Sequence, residues 1–196
     1  MTSVFLAAVL CAQTVPAEIA AGPRVAIIPT VNLSGESWND LMTRQNERIN
    51  NYLTTEFTKR NFRLVDPDDL ADAAREMNLD WRDEENHRRA VLLDLARKVE
   101  ADYIYFNVVT FTDQKTHDRD NYTDREGRTD VKIWFLETKT ERAIYSARTF
   151  VGRSGGMRVT LRPSDRQLQA GVNAVRDAIQ PFFKEFAARQ VEGRGR

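Results

Sequence analysis

The alternation of apolar and polar positions near the start of the chain predicts a buried strand followed by a long helix. The strand is predicted at residues 23–33, where the β-branched run 25–28 is bounded by proline on both sides. An amphipathic helix is predicted at 38–60, because its large apolar residues recur at every third or fourth position, and Asn61 is a suitable residue to end it. The apolar stripe of this helix consists of Trp38, Leu41, Met42, Ile49, Tyr52, Leu53 and Phe57.

The middle of the chain predicts a strand, two helices and a second long strand. Residues 62–66 have the composition of a short strand. A short helix at 70–77 follows the segment Asp66-Pro67-Asp68-Asp69, which places proline and acidic residues where a helix begins. Residues 84–99 predict a further helix, and 101–112 predict a central strand.

The last third predicts a polar loop, a β-hairpin and a closing helix. Residues 113–128 are polar and charged without apolar periodicity, which predicts a mobile loop. Strands are predicted at 129–137 and 142–151, with the turn of the hairpin at 138–141. A helix begins at Pro163, and its apolar stripe consists of Leu168, Val172, Val175, Ile179, Phe182, Phe183 and Phe186.

The predicted element order along the chain is βαβααβββα. Two early strands joined through a helix imply a right-handed crossover, and the terminal hairpin adds antiparallel strands. The fold class is therefore α/β, with one mixed sheet of about five strands covered by helices. We expect a single domain at residues 23–190, preceded by a signal peptide and short spacer at 1–22 and followed by a disordered tail at 191–196.

The N-terminal segment favours export. The apolar stretch Val4–Ala12 is too short to span a bilayer as a helix, but it matches the apolar part of a signal peptide. Small residues at Val15–Ala17 offer a cleavage site, although no Lys or Arg precedes the stretch. The second interpretation is a buried N-terminal strand or helix. The third is lipidation of Cys11, which normally requires a small residue in place of Leu10.

Composition narrows the function classes. Hydrophobic residues make up 41% of the chain and charged residues 30%, which is typical of a globular domain. Lys plus Arg and Asp plus Glu are both 29, so no net field attracts polyanions. Nucleic-acid binding is therefore the weakest of the functions considered, because it usually requires a basic excess.

The sequence contains no motif that identifies a catalytic, cofactor or metal site. The patterns of a nucleophile elbow and of phosphate-binding loops are absent. The two histidines, His87 and His117, are far apart in sequence, and His87 is expected on an exposed helix face. The acidic residues of 113–128 lack the glycine of a calcium-binding loop. Tyr103, Tyr105 and Phe106 are interpreted as core residues.

Four segments together resemble a family of exported α/β domains. They are R-V-A-I-I-P-T-V-N-L-S-G at 24–35, F-R-L-V-D-P-D-D-L at 62–70, A-D-Y-I-Y-F-N-V-V-T at 101–110, and the hairpin at 131–147. The family includes the N-terminal domain of the translocation protein TolB, the LpoB activators of penicillin-binding proteins, and the curli-secretion lipoprotein CsgG. The hairpin departs from the family's Asp-x-x-Thr-Gly turn, because Glu137 and Glu141 replace the Asp and the Gly.

The resemblance implies a non-enzymatic, periplasmic or envelope-associated domain that binds another envelope protein. It implies no catalytic, cofactor-binding or metal-binding residue and no cofactor. Contact with the partner is expected at the polar loop, through Asp113, His117, Asp118, Asp120, Tyr122, Asp124 and Arg125, and at the edge of the terminal hairpin. The alternative is a small hydrolase or other enzyme with an unfamiliar site, and the weaker alternative is a nucleic-acid-binding domain.

Overall fold

The computed structural model describes residues 22–35, 39–119, 122–155 and 163–194. The strands are β1 (Arg24–Ile27), β2 (Val31–Asn32), β3 (Arg63–Leu64), β4 (Tyr103–Arg119), β5 (Tyr122–Glu137) and β6 (Ala143–Ser154). The helices are α1 (Asn39–Thr58), α2 (Pro67–Glu76), α3 (Arg89–Lys98) and α4 (Pro163–Arg194), with a 3₁₀ turn at Glu84–His87. The leader predicted at 1–22 lies almost wholly outside the described residues.

The described strands form one mixed sheet in the order β3-β1-β4-β5-β6, with β2 also pairing with β4. The contacts of β1 with β3 and β4, and of β2 with β4, are parallel. The pairs β4–β5 and β5–β6 are antiparallel. The predicted α/β class and the mixed sheet covered by helices are confirmed, and β2 is a short addition to the predicted order.

Residues at the helix ends adopt the conformations that their chemistry favours. The chain leaves α1 through Asn61, whose φ of 63° lies in the left-handed region that asparagine tolerates well. The Asp66 side chain caps α2 by accepting a hydrogen bond from the Asp68 amide at 2.9 Å, and Pro67 occupies the first turn. The prediction that Asn61 ends the long helix is confirmed, whereas the short helix begins at Pro67 and not at residue 70.

Two hydrophobic clusters fill the two sides of the sheet. The first packs α1 and α4 against it, and the Phe57 ring lies at its centre in edge contact with four other rings. Those rings belong to Phe62, Tyr105, Phe135 and Phe183, with centroids 5.0 to 6.3 Å from that of Phe57. The second cluster packs α2 and α3 against the opposite side. Tyr105 and Phe106 are completely buried, on opposite sides, as core residues should be.

The segment predicted as one helix at 84–99 is a 3₁₀ turn followed by α3. The break falls at Arg88, whose backbone is extended with φ −66° and ψ 141°. The turn directs His87 inward, so the expectation that His87 is exposed is wrong. Its ring packs against Phe106 and Trp134, and its Nε2 lies 2.8 Å from the carbonyl oxygen of Trp81.

The mobile loop predicted at 113–128 is wrong, because residues 113–119 and 122–128 extend the hairpin of β4 and β5. Register pairs run without a break from Phe111↔Asp130 to Arg119↔Tyr122. Backbone hydrogen bonds hold such a ladder whatever the side chains are, whereas apolar alternation appears only where one face is buried. The helix α4 also continues to Arg194, so residues 191–194 are helical and not part of the predicted tail.

Candidate functional site

The far half of the long hairpin is covered by helices on one face only. On that covered face, α4 lies against the strand backbones at two glycines. A Cβ at Gly127 would stand 2.7 Å from the carbonyl oxygen of Arg166, and one at Gly152 only 1.9 Å from that of Ala170. No described helix covers the opposite face beyond residue 110, since α2 and α3 pack against the near half of the sheet.

A β-bulge decides which residues of β4 point toward the helix-free face. The register shifts between Val109 and Phe111, so Thr110 is the extra residue of β4. Thr112 then faces the helices, where it is buried and its hydroxyl lies 3.2 Å from that of Thr129. Phe111 faces the opposite way and is 39% exposed. Without the bulge, Phe111 would face the helices and Thr112 would face the opposite side. The bulge reverses the directions of these two side chains.

Three large hydrophobic side chains are exposed on this helix-free face. Leu33, Phe111 and Val151 are 37%, 39% and 44% exposed. Leu33 continues the ladder of β2, because its amide donates to the Val109 carbonyl at 2.8 Å. Phe111 and Val151 are both register partners of Asp130, so they flank the same residue of β5. The three side chains therefore mark one row across the sheet.

An ion pair occupies the middle of this row. The Arg128 guanidinium donates to both carboxylate oxygens of Asp130, each at 2.9 Å. These hydrogen bonds, and the charge of Asp130, raise the pKa of Arg128. The same guanidinium lies 5.3 Å from the centroid of the Phe111 ring. We call Leu33, Phe111, Arg128, Asp130 and Val151 the open face; it combines apolar area with fixed charges.

The open face adjoins an unpaired strand edge. Among the described strands, β6 pairs only with β5, so its other side presents backbone donors and acceptors. From Arg148 to Ser154 the register is regular, and from Ala143 to Arg148 it shifts twice. Ala147 lies in the irregular part with a φ of 57°. The regular seven residues can accept an added strand, whereas the irregular ones discourage it.

Titratable groups with shifted pKa values lie mainly in the core. Burial, followed by the Glu137 carboxylate, raises the pKa of Tyr103 to about 12. Burial is the main reason that the pKa of Tyr105 lies well above its usual value. Burial would also raise the pKa of Glu56, but the hydrogen bond and charge of Arg60 outweigh it and lower that pKa. Within the described ranges, no three His, Cys, Asp or Glu residues are grouped as metal ligands would be.

The structure gives a partial account of the predicted contact residues. Asp113 lies on β4, half-buried, and is the register partner of Arg128. The backbones of His117 and Asp124 are paired across the hairpin. Asp118 and Tyr122 also lie in its ladder, as does Arg125, while Asp120 is outside the described residues. Their role in binding a partner stays a prediction.

Sequence reasoning missed the hydrophobic part of the open face. Leu33 and Phe111 fell inside predicted strands, where an apolar residue is assigned to the core by default. Val151 lies at the end of the strand predicted at 142–151, where the same assignment applies. The one signal in the sequence is the predicted edge of the terminal hairpin, which indicates a contact surface without identifying its exposed residues.

Scans of the chain find no matching family model and no matching curated protein. Similar solved structures include a lipoprotein (GNA1162) from Neisseria meningitidis, with 13% identity, a TM-score of 0.49, and coverage of 80% of this chain and 97% of that one. The LpoB C-terminal domain from Salmonella enterica has 18% identity and a TM-score of 0.43, covering 72% and 87%. A minor lipoprotein from Acinetobacter baumannii has 10% identity and a TM-score of 0.35, covering 86% and 94%.

These neighbours include LpoB, one of the proteins named in the sequence resemblance. At such identities and TM-scores, none of them supports an inference about what this chain binds. A separate search of the described helices finds none that is long and apolar enough to cross a membrane.

Proposed function

We propose that this chain is a non-enzymatic module of the bacterial cell envelope that binds another protein through the open face and the adjoining edge of β6. The observation that carries the proposal is the row formed by Leu33, Phe111 and Val151. These side chains are exposed together on the one stretch of sheet that no described helix covers. Exposed large hydrophobic side chains that adjoin polar groups are typical of protein interfaces.

The chemistry of the row suits a protein partner. An aromatic ring with an arginine beside it is a combination enriched at the centres of interfaces. Arg128 is already held by Asp130, so it is presented in a fixed orientation and loses little freedom on binding. The regular edge at Arg148–Ser154 offers backbone hydrogen bonds next to the apolar row. A partner that adds a strand there would cover Val151 at the same time.

The cell-envelope part of the proposal rests on the sequence. The four segments that resemble the TolB, LpoB and CsgG family are spread between residues 24 and 147, and the apolar stretch at 4–12 favours export. Together they support a periplasmic or envelope-associated protein, whose partner is another envelope protein.

The binding surface can be tested by site-specific photo-crosslinking in the native host. A benzophenone amino acid at position 111 or 151 is expected to form a discrete protein adduct, because both positions would lie inside the interface. Val151→Asp should abolish the adduct formed from position 111, since it replaces an apolar contact with a second carboxylate beside Asp130. Its melting temperature should hardly change, because substitutions at exposed positions usually alter stability by only about 0.5 kcal/mol.

The control for crosslinking is the same amino acid at position 75, an exposed residue of α2 on another part of the surface. It should give no adduct of the same mass. The proposal is wrong if positions 111 and 151 form no adduct, or if position 75 captures the same protein equally well.

Export is expected to remove the leader. Protein recovered from the envelope fraction of the native host should have an intact mass that lacks the apolar stretch at 4–12, because signal peptidase cleaves after such stretches. A chain that still begins at Met1 or Thr2 would contradict export, without bearing on the binding surface.

A further inference from the structure

A cleft of about 700 Å³ lies next to β2. One side is α1, through Met42, Thr43 and Asn46, and the other is the segment Leu79–Arg82. Its floor is the chain between β1 and β2, at the carboxyl end of a parallel strand. Open α/β sheets bind ligands at such ends, and ligand sites commonly enclose about 300–1,000 Å³.

The floor of the cleft is held by amide side chains that are already fixed. The Asn50 Oδ1 atom accepts hydrogen bonds from the Thr30 amide at 3.0 Å and from the Thr30 hydroxyl at 2.7 Å. Asn32 donates through Nδ2 to Gln45 Oε1 at 3.1 Å, and its own Oδ1 accepts from the Ser34 amide at 3.0 Å. The polar groups of the floor are therefore preorganised, which lowers the cost of binding a ligand.

Gln45 anchors this floor to the rest of the fold. It is 1% exposed, and its Nε2 lies 3.1 Å from both the Thr129 hydroxyl and the Gln167 carbonyl oxygen. The amide of Asn32 is thus tied through one buried side chain to β5 and α4. Such a linked set of hydrogen bonds keeps its geometry better than isolated pairs do.

Asn46 is the lining residue whose hydrogen-bonding capacity is unused. Its Oδ1 is covered and has no partner among the described residues, and no hydrogen bond of its Nδ2 is found there either. A carbonyl oxygen that is shielded from water without a partner is unfavourable. A ligand that hydrogen-bonds the Asn46 side chain would supply the partner that the described residues do not.

The opposite wall is apolar and rigid. It contains the Trp81 indole and Leu79. Trp81 cannot shift freely, because its ring packs on Phe106 with centroids 5.3 Å apart and its carbonyl oxygen lies 2.8 Å from His87 Nε2. The ligand therefore meets amides on one side and an aromatic ring on the other.

The rim carries one acidic and one basic residue, so it has no net charge. The Asp80 carboxylate accepts from the Arg82 amide at 2.9 Å, and the Asp80 carbonyl oxygen accepts from Asn86 Nδ2 at 2.8 Å. These bonds give the segment a defined shape. A phosphate or nucleotide would require a basic excess, and a lipid chain would leave the amides without partners.

We propose that this cleft binds a neutral saccharide. A sugar ring presents hydroxyl groups at its edge and C–H groups on its face, which matches the amides of Asn32 and Asn46 opposite the Trp81 ring. Asn46 would hydrogen-bond a hydroxyl group and Trp81 would contact the C–H face. The proposal goes beyond the binding of a protein partner and does not depend on it, because none of the open-face residues lines the cleft.

The probes are chitotetraose and maltotetraose, two neutral oligosaccharides, titrated into the full domain by isothermal calorimetry. We expect saturable binding of at least one of them, weakened about tenfold or more by Asn46→Ala, which corresponds to about 1.4 kcal/mol. The matched control is Asn51→Ala, at an exposed position of the same helix. It should bind as the unmodified chain does.

The stability of the variant separates binding from folding. Asn46→Ala removes an amide that has no partner and adds a good helix former, so its melting temperature should not fall. The proposal is overturned if neither oligosaccharide binds, or if the two asparagine variants lose affinity equally. Saturable binding of a neutral tetrapeptide that Asn46→Ala abolishes, without saccharide binding, would also overturn it.

Discussion

Deleting residues 165–196 is expected to leave a chain that no longer unfolds cooperatively. The deletion removes nearly all of α4, the helix that covers the first core on β4, β5 and β6. Phe182 and Phe183 are both buried in that core, at 6% and 4% exposure. Domains of this size are stable by only about 5–15 kcal/mol, and truncating one packed phenylalanine to alanine costs about 3–5 kcal/mol. Thermal unfolding followed by circular dichroism measures the result.

Two further variants make this test specific. Phe183→Ala alone should lower the free energy of unfolding by several kcal/mol, because the ring packs edge-on against Phe57 with centroids 5.0 Å apart. A truncation after Arg189 keeps every buried position described in α4, the last of which is Phe183. It should unfold almost as the full chain does. If the longer deletion melted at an unchanged temperature, α4 would be a detachable element and not part of the core.

Gly152→Ala is expected to destabilise the domain by about 1–3 kcal/mol or more, as overpacking of a well-packed site does. An added Cβ would stand 1.9 Å from the Ala170 carbonyl oxygen and 2.5 Å from the Ala174 nitrogen. Both are backbone atoms of a helix, so they cannot rotate out of the way as a side chain could. The whole of α4 would have to move from β6. Chemical denaturation measures the free energy lost.

Gly155→Ala is the control for this substitution. Its added Cβ would meet only the Glu126 side chain, at 3.6 Å and beyond, which is ordinary van der Waals contact. We expect nearly unchanged stability. Equal destabilisation by both variants would show that the loss comes from glycine as such near the end of β6, and not from the approach of α4.

Most of the fold could be predicted from the sequence because its largest elements bury one side. The stripes of α1 and α4 repeat with the period of a helix, and the strand at 103–109 is apolar except at Asn107. The 3₁₀ turn before α3 could not be predicted, since only the extended backbone at Arg88 separates it from the helix. His87 follows that turn inward, although its neighbours in sequence are charged.

The candidate site was harder to predict than the fold. The far half of the hairpin carries polar residues on strands, and polar residues without apolar periodicity resemble a loop in the sequence. Its exposed hydrophobic residues resemble core residues, because an apolar residue inside a predicted strand is assigned to the core by default. Thr112 is buried and Phe111 exposed, which reverses the usual preference of both residue types. The bulge at Thr110 explains the reversal, and no residue pattern in the sequence predicts a bulge at this position.

The bulge at Thr110 also acts as a frame shift within β4. Side chains alternate with a period of two, so one additional residue inverts the parity of everything that follows it on the strand. The near half of β4 keeps odd-numbered residues toward α1 and α4, whereas Thr112, an even-numbered residue, takes that direction beyond the bulge. The residues exposed beyond the bulge can therefore change without a change in the residues that pack the core of the near half. A single-residue insertion or deletion at this point could exchange one outward set of side chains for another, while the strands that pack the near core keep their register.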